Sequence, residues 1–290
     1  MCGVAGFVAR VDEANGRSIL TSMAKVLRHR GPDSSGVYAE KIDEERLLGL
    51  SHTLLSIIGK PGEGQQPFLV PGGALVFNGA IYNFKELSQD LQKTGITPQT
   101  GTDTEILAHG LAQKGIDFLR DVRGMFAFAF WDTKRKILTL GRDPLGVKPL
   151  YYANLSQGIC FASEYKVLLP YLSKVSIDDG AVNDYLRLRY VPGPATLVKE
   201  IRKVPPGSVL QFDPKTNKKT TLNYYHLNRR RNLVNKKDLF ITIQRAVGRR
   251  AVADVEVASL LSGGIDSSLA SDILQKSIKA LHTYTLSMDD

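Results

Sequence analysis

Along the first 170 or so residues, short apolar runs alternate with segments that carry one apolar face. The runs at 3–8, 47–52, 74–77, 125–131, 136–140, 150–153 and 159–162 are mostly rich in β-branched or aromatic residues, or bounded by Gly, Pro or Asp, and predict strands. Between them, 19–28, 84–93 and 104–113 space apolar side chains three and four apart, the period of an amphipathic helix. Asp103 stands immediately before the last of these and Glu105 in its first turn, which predicts Asp103 as the helix cap. Strands followed by paired helices imply sheets covered by helical layers.

The pattern changes near 205. Pro205-Pro206-Gly207 signals a turn, and 213–235 is polar, basic and aperiodic, which predicts a linker. Beyond it Leu239, Ile243, Ala246 and Val247 lie on one helical face. An apolar strand at 255–261, a glycine loop at 262–268, a helix beginning at 269–274 and a strand at 281–286 then make a single β-loop-α-β unit. The expected organisation is a first domain at 1–212, a basic linker at 213–235 and a second domain at 236–290. About 50 residues scarcely bury a core, so the second domain is expected to be incomplete.

Composition narrows the class. Hydrophobic residues make up 43% and charged residues 23% of 290, globular values far from those of a disordered chain. Lys and Arg number 38 against 29 Asp and Glu, a net charge of +9. The surplus clusters at Lys215, Lys218, Lys219, Arg229-Arg230-Arg231, Lys236 and Lys237, with little aromatic interleaving beyond Tyr224 and Tyr225. That reads as a solvated linker rather than a nucleic-acid surface. Two cysteines, Cys2 and Cys160, make neither a disulfide framework nor a four-ligand zinc site, and no metal site is expected. No run approaches the roughly 18 apolar residues of a membrane span, and the terminus lacks a basic signal region. A cytoplasmic protein is expected.

Cys2 follows the initiator methionine. Removal of Met1 would leave one residue carrying both a thiol and an α-amine of pKa about 7.7–8.0, the pairing by which an N-terminal nucleophile activates itself. Further motifs are Arg28-His29-Arg30-Gly31-Pro32-Asp33, Asn78-Gly79-Ala80-Ile81-Tyr82-Asn83 and Gly101-Thr102-Asp103-Thr104-Glu105. With Met1-Cys2-Gly3-Val4-Ala5-Gly6 they resemble the glutaminase domain of class II glutamine amidotransferases. Arg142-Asp143-Pro144-Leu145-Gly146-Val147-Lys148-Pro149, Phe161-Ala162-Ser163-Glu164 and Tyr190-Val191-Pro192-Gly193-Pro194 look like the glutamine-hydrolysing asparagine synthetases. The glycine loop Ser262-Gly263-Gly264-Ile265-Asp266-Ser267-Ser268 resembles the pyrophosphate loop of N-type ATP pyrophosphatases.

The resemblance implies an α+β N-terminal-nucleophile sandwich of four αββα layers, followed by the beginning of an α/β pyrophosphate-loop domain of the adenine nucleotide alpha hydrolase type. It implies Cys2 as nucleophile and Asn78 and Gly79 as oxyanion donors. Asp103 would hold the glutamine α-ammonium, Leu55, Ser56, Ile57 and Ile58 would line the pocket, and Arg30 would order the terminus. Leu261, Ser262, Gly263, Gly264, Asp266, Ser267, Ser268 and Leu286 would hold ATP, with Mg2+ served by Asp266. The implied reaction is ATP-dependent amidation of aspartate through β-aspartyl-AMP, using ammonia from glutamine. A homodimer, or a separate chain completing the synthetase domain, is the implied partner. Two positions depart from the family: Leu54 replaces an arginine that pairs with the substrate carboxylate, and Ala80 replaces a glutamate. A charge-assisted arginine–carboxylate contact is worth about 2–5 kcal/mol, so glutamine use is expected to be weak or altered. Alternatives are an amidotransferase acting on another carboxylate, and a catalytically weak partner or regulatory chain of a split synthetase.

Overall fold

The structure is a computed structural model in which residues 1–59, 62–227 and 235–287 are described. The chain divides into two compact units, Met1–Ser56 with Pro61–His226, and Ile57–Lys60 with Leu227–Asp290. The first begins β1 (Gly3–Arg10), α1 (Glu13–Leu27), β2 (Ser34–Lys41), β3 (Arg46–Leu54), β4 (Phe68–Val70) and β5 (Gly73–Ile81). It continues α2 (Phe84–Lys93), α3 (Asp103–Lys114), β6 (Gly124–Asp132), β7 (Ile137–Arg142), β8 (Tyr151–Leu155) and β9 (Gly158–Ala162). It closes with α4 (Asp179–Leu188), β10 (Ile201–Lys203), β11 (Ser208–Asp213) and β12 (Lys218–Asn223).

Two six-stranded antiparallel sheets result, ordered β10-β8-β9-β1-β3-β2 and β12-β11-β7-β6-β5-β4. Period-two alternation divides each strand between two cores. Val4 and Val8 of β1, Leu48 and Leu50 of β3, Ala74 and Val76 of β5, and Ala127, Ala129 and Trp131 of β6 join one buried cluster between the sheets. Their neighbours Ala5, Phe7 and Leu47 turn the other way and pack with Leu20, Met23 and Leu27 of α1. On the second sheet Leu75, Phe77, Phe126, Phe128 and Phe130 are likewise buried, on the face where α3 packs with α2 beside it. The expected αββα layering is therefore the observed one. Because both faces of β1, β3, β5 and β6 are covered, their runs are nearly continuously apolar and easy to read.

The structure differs from the sequence-based reading at three places. The cap of α3 is Thr102, whose side chain accepts from Glu105 N, while Asp103 is the first helical residue with its carboxylate committed elsewhere. The stretch 213–223, read as the start of a linker, instead forms the β11–β12 hairpin. Its strand Lys218–Asn223 is almost wholly exposed at the sheet edge, so burial imposes no apolar alternation, and lysines there discourage further strand addition. Third, β2 and α4 carry no legible pattern, since β2 is a half-buried edge and α4 buries only Ala181. The basic triplet at 229–231 lies outside the described residues.

The second unit contains α5 (Lys236–Arg250), β13 (Ala258–Leu260), α6 (Ile265–Gln275) and β14 (His282–Tyr284). β13 and β14 pair in parallel, with Ser259 opposite Thr283. Among residues 235–287 only Ser271 and Ile273 are buried, while Leu260, Ile265 and Leu286 are 81%, 86% and 86% exposed. No helix among the described residues is long and apolar enough to cross a membrane.

Candidate active site

Cys2 projects from the amino end of β1, where Gly3 is paired with Thr53 and Val4 with His52. Its sulfur accepts from Leu55 N at 3.4 Å and lies 3.7 Å from Leu55 O. Burial pushes the thiol pKa up, with the Leu55 N–H pulling the other way. The terminus is tied down from below. Arg30 donates through Nε to the Cys2 carbonyl at 3.0 Å and through Nη1 to Glu164 at 3.0 Å. His29 Nε2 and Lys166 Nζ also reach Glu164, at 2.9 Å and 3.0 Å. Partial burial pushes the Glu164 carboxyl up, but the bonds from Arg30, Lys166 and His29 outweigh it and hold the pKa at about 2. Leu54, at the end of β3, offers no charge here. Ser56 N donates to Asp33 at 2.8 Å, so Leu55 and Ser56 run beside the Gly31-Pro32-Asp33 turn. Ile57 and Ile58 belong to the second unit.

The edge of β5 supplies the opposing chemistry. β4 pairs only with residues 73–75 of β5, leaving the following residues at a bare sheet edge. Which backbone groups face that edge follows from ladder parity. Phe126, opposite Gly79, commits its N–H to Asp143 Oδ2 at 3.2 Å and its carbonyl to Asp143 N at 2.8 Å, both on the β7 side. Gly79 therefore turns its own N–H and carbonyl away from β6, to the bare edge. Phe77 and Ile81 share that parity, and side chains meet them: Gln66 Oε1 accepts from Phe77 N at 2.6 Å, His52 Nε2 donates to Phe77 O at 3.0 Å, and Asp103 Oδ2 accepts from Ile81 N at 2.8 Å. The Gly79 N–H lies between these satisfied neighbours. Beside it, the Asn78 side chain is 1% exposed and its Nδ2 has no hydrogen-bond partner among the described residues. A buried amide donor without an acceptor costs about 1–3 kcal/mol. A donor of this kind next to an edge N–H can serve to stabilise an oxyanion.

Asp103 is fully enclosed, and burial raises its carboxyl pKa to about 6 despite the bond from Ile81 N. An enclosed carboxyl of this kind can pair with a cation. Lys148 is a further charge in the same region, 7% exposed, with Arg30, Cys2 and Asp143 as its electrostatic neighbours. Burial and the Arg30 cation both hold its pKa down. The Arg142-Asp143 pair builds its loop: Asp143 accepts from the N–H groups of Leu145, Val147 and Lys148, and Arg142 donates to the carbonyls of Gly146, Lys148 and Val204. His52, Gln66 and Lys148 were absent from the sequence-based site. His52 ends the predicted strand 47–52 and Lys148 lies in the motif 142–149, but spacing assigns them no role.

In the second unit the glycine loop joins β13 to α6. Gly264 caps α6 without a side-chain hydrogen bond, which leaves the first helical N–H groups available, and Gly263 has φ +79° with open space where a Cβ would stand. Ser262 Oγ and Ser267 Oγ are 3.0 Å apart. A helix amino end with a glycine cradle and hydroxyls fits an anionic phosphate. Leu261 accepts from Thr285 Oγ1 at 2.7 Å, which brings the end of the first strand beside the residue preceding Leu286. Ser268 lies in the first turn of α6, its N–H bonded to Gly264 O at 3.0 Å. Asp266 is exposed, and no cluster of three or more metal-ligating side chains occurs among the described residues.

Two facing antiparallel sheets between helical layers, with a cysteine at the free end of a strand between them, define the N-terminal-nucleophile sandwich. Two solved structures share the fold at 18% identity over 98% of this chain and 65% of theirs: a glutamine phosphoribosylpyrophosphate amidotransferase from B. subtilis, TM-score 0.56, and an allosteric regulatory enzyme of purine biosynthesis, TM-score 0.58. Residues 1–225 match the glutamine amidotransferase domain, and 239–290 match asparagine synthase. The chain belongs to the glutamine amidotransferase domain family. It is similar to asparagine synthetase [glutamine-hydrolyzing] 1 of Bacillus subtilis, 32% identical over all of this chain and 46% of that protein. It also resembles asparagine synthetase B of Escherichia coli, 31% identical over 95% of this chain and 45% of that protein. The chain spans about half the length of these relatives.

Proposed function

We propose that the first unit hydrolyses glutamine and that the ammonia serves to amidate a carboxylate activated by ATP, aspartate first among candidates, as in glutamine-hydrolysing asparagine synthetases. The observation that carries this reading is the pairing of Asn78 Nδ2, buried without a partner, with the Gly79 N–H at the bare edge of β5. Met1 is 54% exposed, open to an aminopeptidase. Once it is removed, the Cys2 amine takes the thiol proton and the sulfur attacks the glutamine amide carbon. The oxyanion is met by Asn78 and Gly79. Collapse breaks the C–N bond, the amine returns the proton to the leaving ammonia, and water cleaves the thioester to glutamate. Asp103 holds the substrate α-ammonium, and Leu55 and Ser56 line the pocket.

In the second unit, Leu261, Ser262, Gly263, Gly264, Asp266, Ser267, Ser268 and Leu286 would receive ATP, the loop N–H groups and hydroxyls taking the pyrophosphate and Asp266 serving the Mg2+ that accompanies it. When bound, ATP converts the acceptor carboxylate into a leaving-group ester that ammonia attacks, with loss of AMP. We further propose that Leu54 and Ala80 weaken glutamine binding. Restoring charge in Leu54→Arg/Ala80→Glu should lower the glutamine KM by about tenfold or more; an unchanged KM would count against an eroded pocket. The reading as a whole is tested by treating the demethionylated chain with an electrophilic diazoketone analogue of glutamine. Mass spectrometry should find one adduct on Cys2, absent in Cys2→Ala. An unlabelled mature chain without glutaminase activity refutes the glutaminase role.

A further inference from the structure

Asn78 and Gly79 pair with Ala127 and Phe126 of β6 on one side only. On the other side β4 ends its pairing at Leu75, and an edge held from one side is freer to fluctuate than one paired on both. Side chains from two different places take over. Gln66, just upstream of β4, accepts from Phe77 N through Oε1 at 2.6 Å, and its Nε2 is oriented by Thr104 Oγ1 at 3.4 Å. His52 reaches across from β3 of the facing sheet to the Phe77 carbonyl at 3.0 Å. A carbonyl only accepts, so Nε2 carries the proton and Nδ1 is a bare lone pair, which has no partner in the structure. Both side chains are buried, His52 at 1% and Gln66 at 6% exposure, and burial keeps His52 neutral, with its pKa lowered to about 4.

We propose that His52 and Gln66 are positioning residues of the glutaminase site, standing in for the missing strand by clamping both backbone groups of Phe77 and so fixing the direction of the Asn78 amide and the Gly79 N–H that follow it. The clamp is tighter than a strand pair in one respect. It ties the second sheet to the first, since His52 pairs with Val4 of β1, two residues from Cys2. The distance between nucleophile and oxyanion donors is then set through Cys2, Val4, His52 and Phe77 rather than through a flexible loop. A His52 lacking Nε2–H would leave the Phe77 carbonyl buried without a donor and release that register.

This inference rests on Asn78 and Gly79 being the oxyanion donors, and the test separates the two. His52→Leu, His52→Gln and Gln66→Met are compared with Asn78→Ala, each after a thermal-unfolding check. With glutamine as substrate, His52→Leu should lower kcat by about tenfold or more while KM moves little, because the oxyanion forms only during reaction. His52→Gln, whose amide nitrogen can reach the same carbonyl, should recover most of the loss. In an Asn78→Ala background His52→Leu should cost clearly less than it does alone, because only the Gly79 donor is left to be misplaced and residues acting as one unit are not additive. An undiminished kcat in His52→Leu, or a loss fully additive with Asn78→Ala, overturns the clamp. If Asn78→Ala itself leaves kcat unchanged, the oxyanion reading fails instead. Backbone hydrogen exchange then decides the clamp without activity. His52→Leu should speed exchange at Phe77 and Gly79 relative to Ala127 and Ala129 of β6, and equal exchange rates in the variant and the unaltered protein refute it.

Discussion

At the scale of single residues, the proposed site gathers buried polar groups. Asn78 Nδ2 has no acceptor among the described residues, Asp103 is an enclosed carboxyl, and Lys148 is a buried amine with Cys2 among its electrostatic neighbours. The two titratable groups predict measurable behaviour. A carboxyl with pKa about 6 in the free protein is ionised above that pH and neutral below it. On the proposed role of Asp103, its ionised form holds the substrate ammonium, so kcat/KM for glutamine should fall as pH drops through about 6, and Asp103→Asn should lose most glutamine binding at every pH. A pH–rate profile checks both. A cation near a thiol favours the thiolate, so Lys148→Met should raise the Cys2 pKa. Alkylation of Cys2 by iodoacetamide at neutral pH should slow by roughly threefold to tenfold, and Lys148→Arg should restore it.

At the scale of elements, close approach of strands sets the limits. A Cβ on Gly79 would stand 2.2 Å from Met125 O and 2.8 Å from Phe126 Cα. Backbone cannot swing aside as a flexible side chain does. Gly79→Ala should therefore force β5 from β6, cost roughly 2 kcal/mol or more, and lower the unfolding midpoint in denaturant as well as kcat. The turn that carries Arg30 has a different signature, set by pH. Glu164 has a folded-state pKa of about 2, below its ordinary value of 4.5. Its contribution to stability is complete above about 4.5 and is lost as pH falls toward 2. Acid unfolding of Glu164→Gln should show a smaller stability loss across that window than the unaltered protein, measured by urea titrations at successive pH values.

At the scale of the whole molecule, the two units differ in kind. The first has a core between the sheets, another under α1 and a buried apolar layer under α3. The second buries only Ser271 and Ile273 among residues 235–287. A fragment of 1–226 should unfold cooperatively with a midpoint within a few degrees of the full chain's main transition, whereas 227–290 alone should show no cooperative transition by calorimetry. Equal cooperative unfolding of the isolated second fragment would contradict this.

Legibility followed burial. Strands covered on both faces, such as β1, β3 and β6, announce themselves by apolar runs, and the nucleophile, oxyanion and glycine-loop segments by residue types that few folds place in that order. Residues 218–223 and 179–188 gave no such signal, because an exposed edge strand and a barely buried helix leave composition unconstrained. The sequence by itself determined the layering of the first unit and the identity of its candidate chemical groups. Tertiary structure alone decided that Thr102 caps α3 while Asp103 faces Ile81, that a buried Lys148 acts electrostatically on Cys2, and that His52 and Gln66 bond the backbone of Phe77. Those relations join residues many positions apart, and linear spacing holds no record of which backbone groups a sheet leaves unpaired.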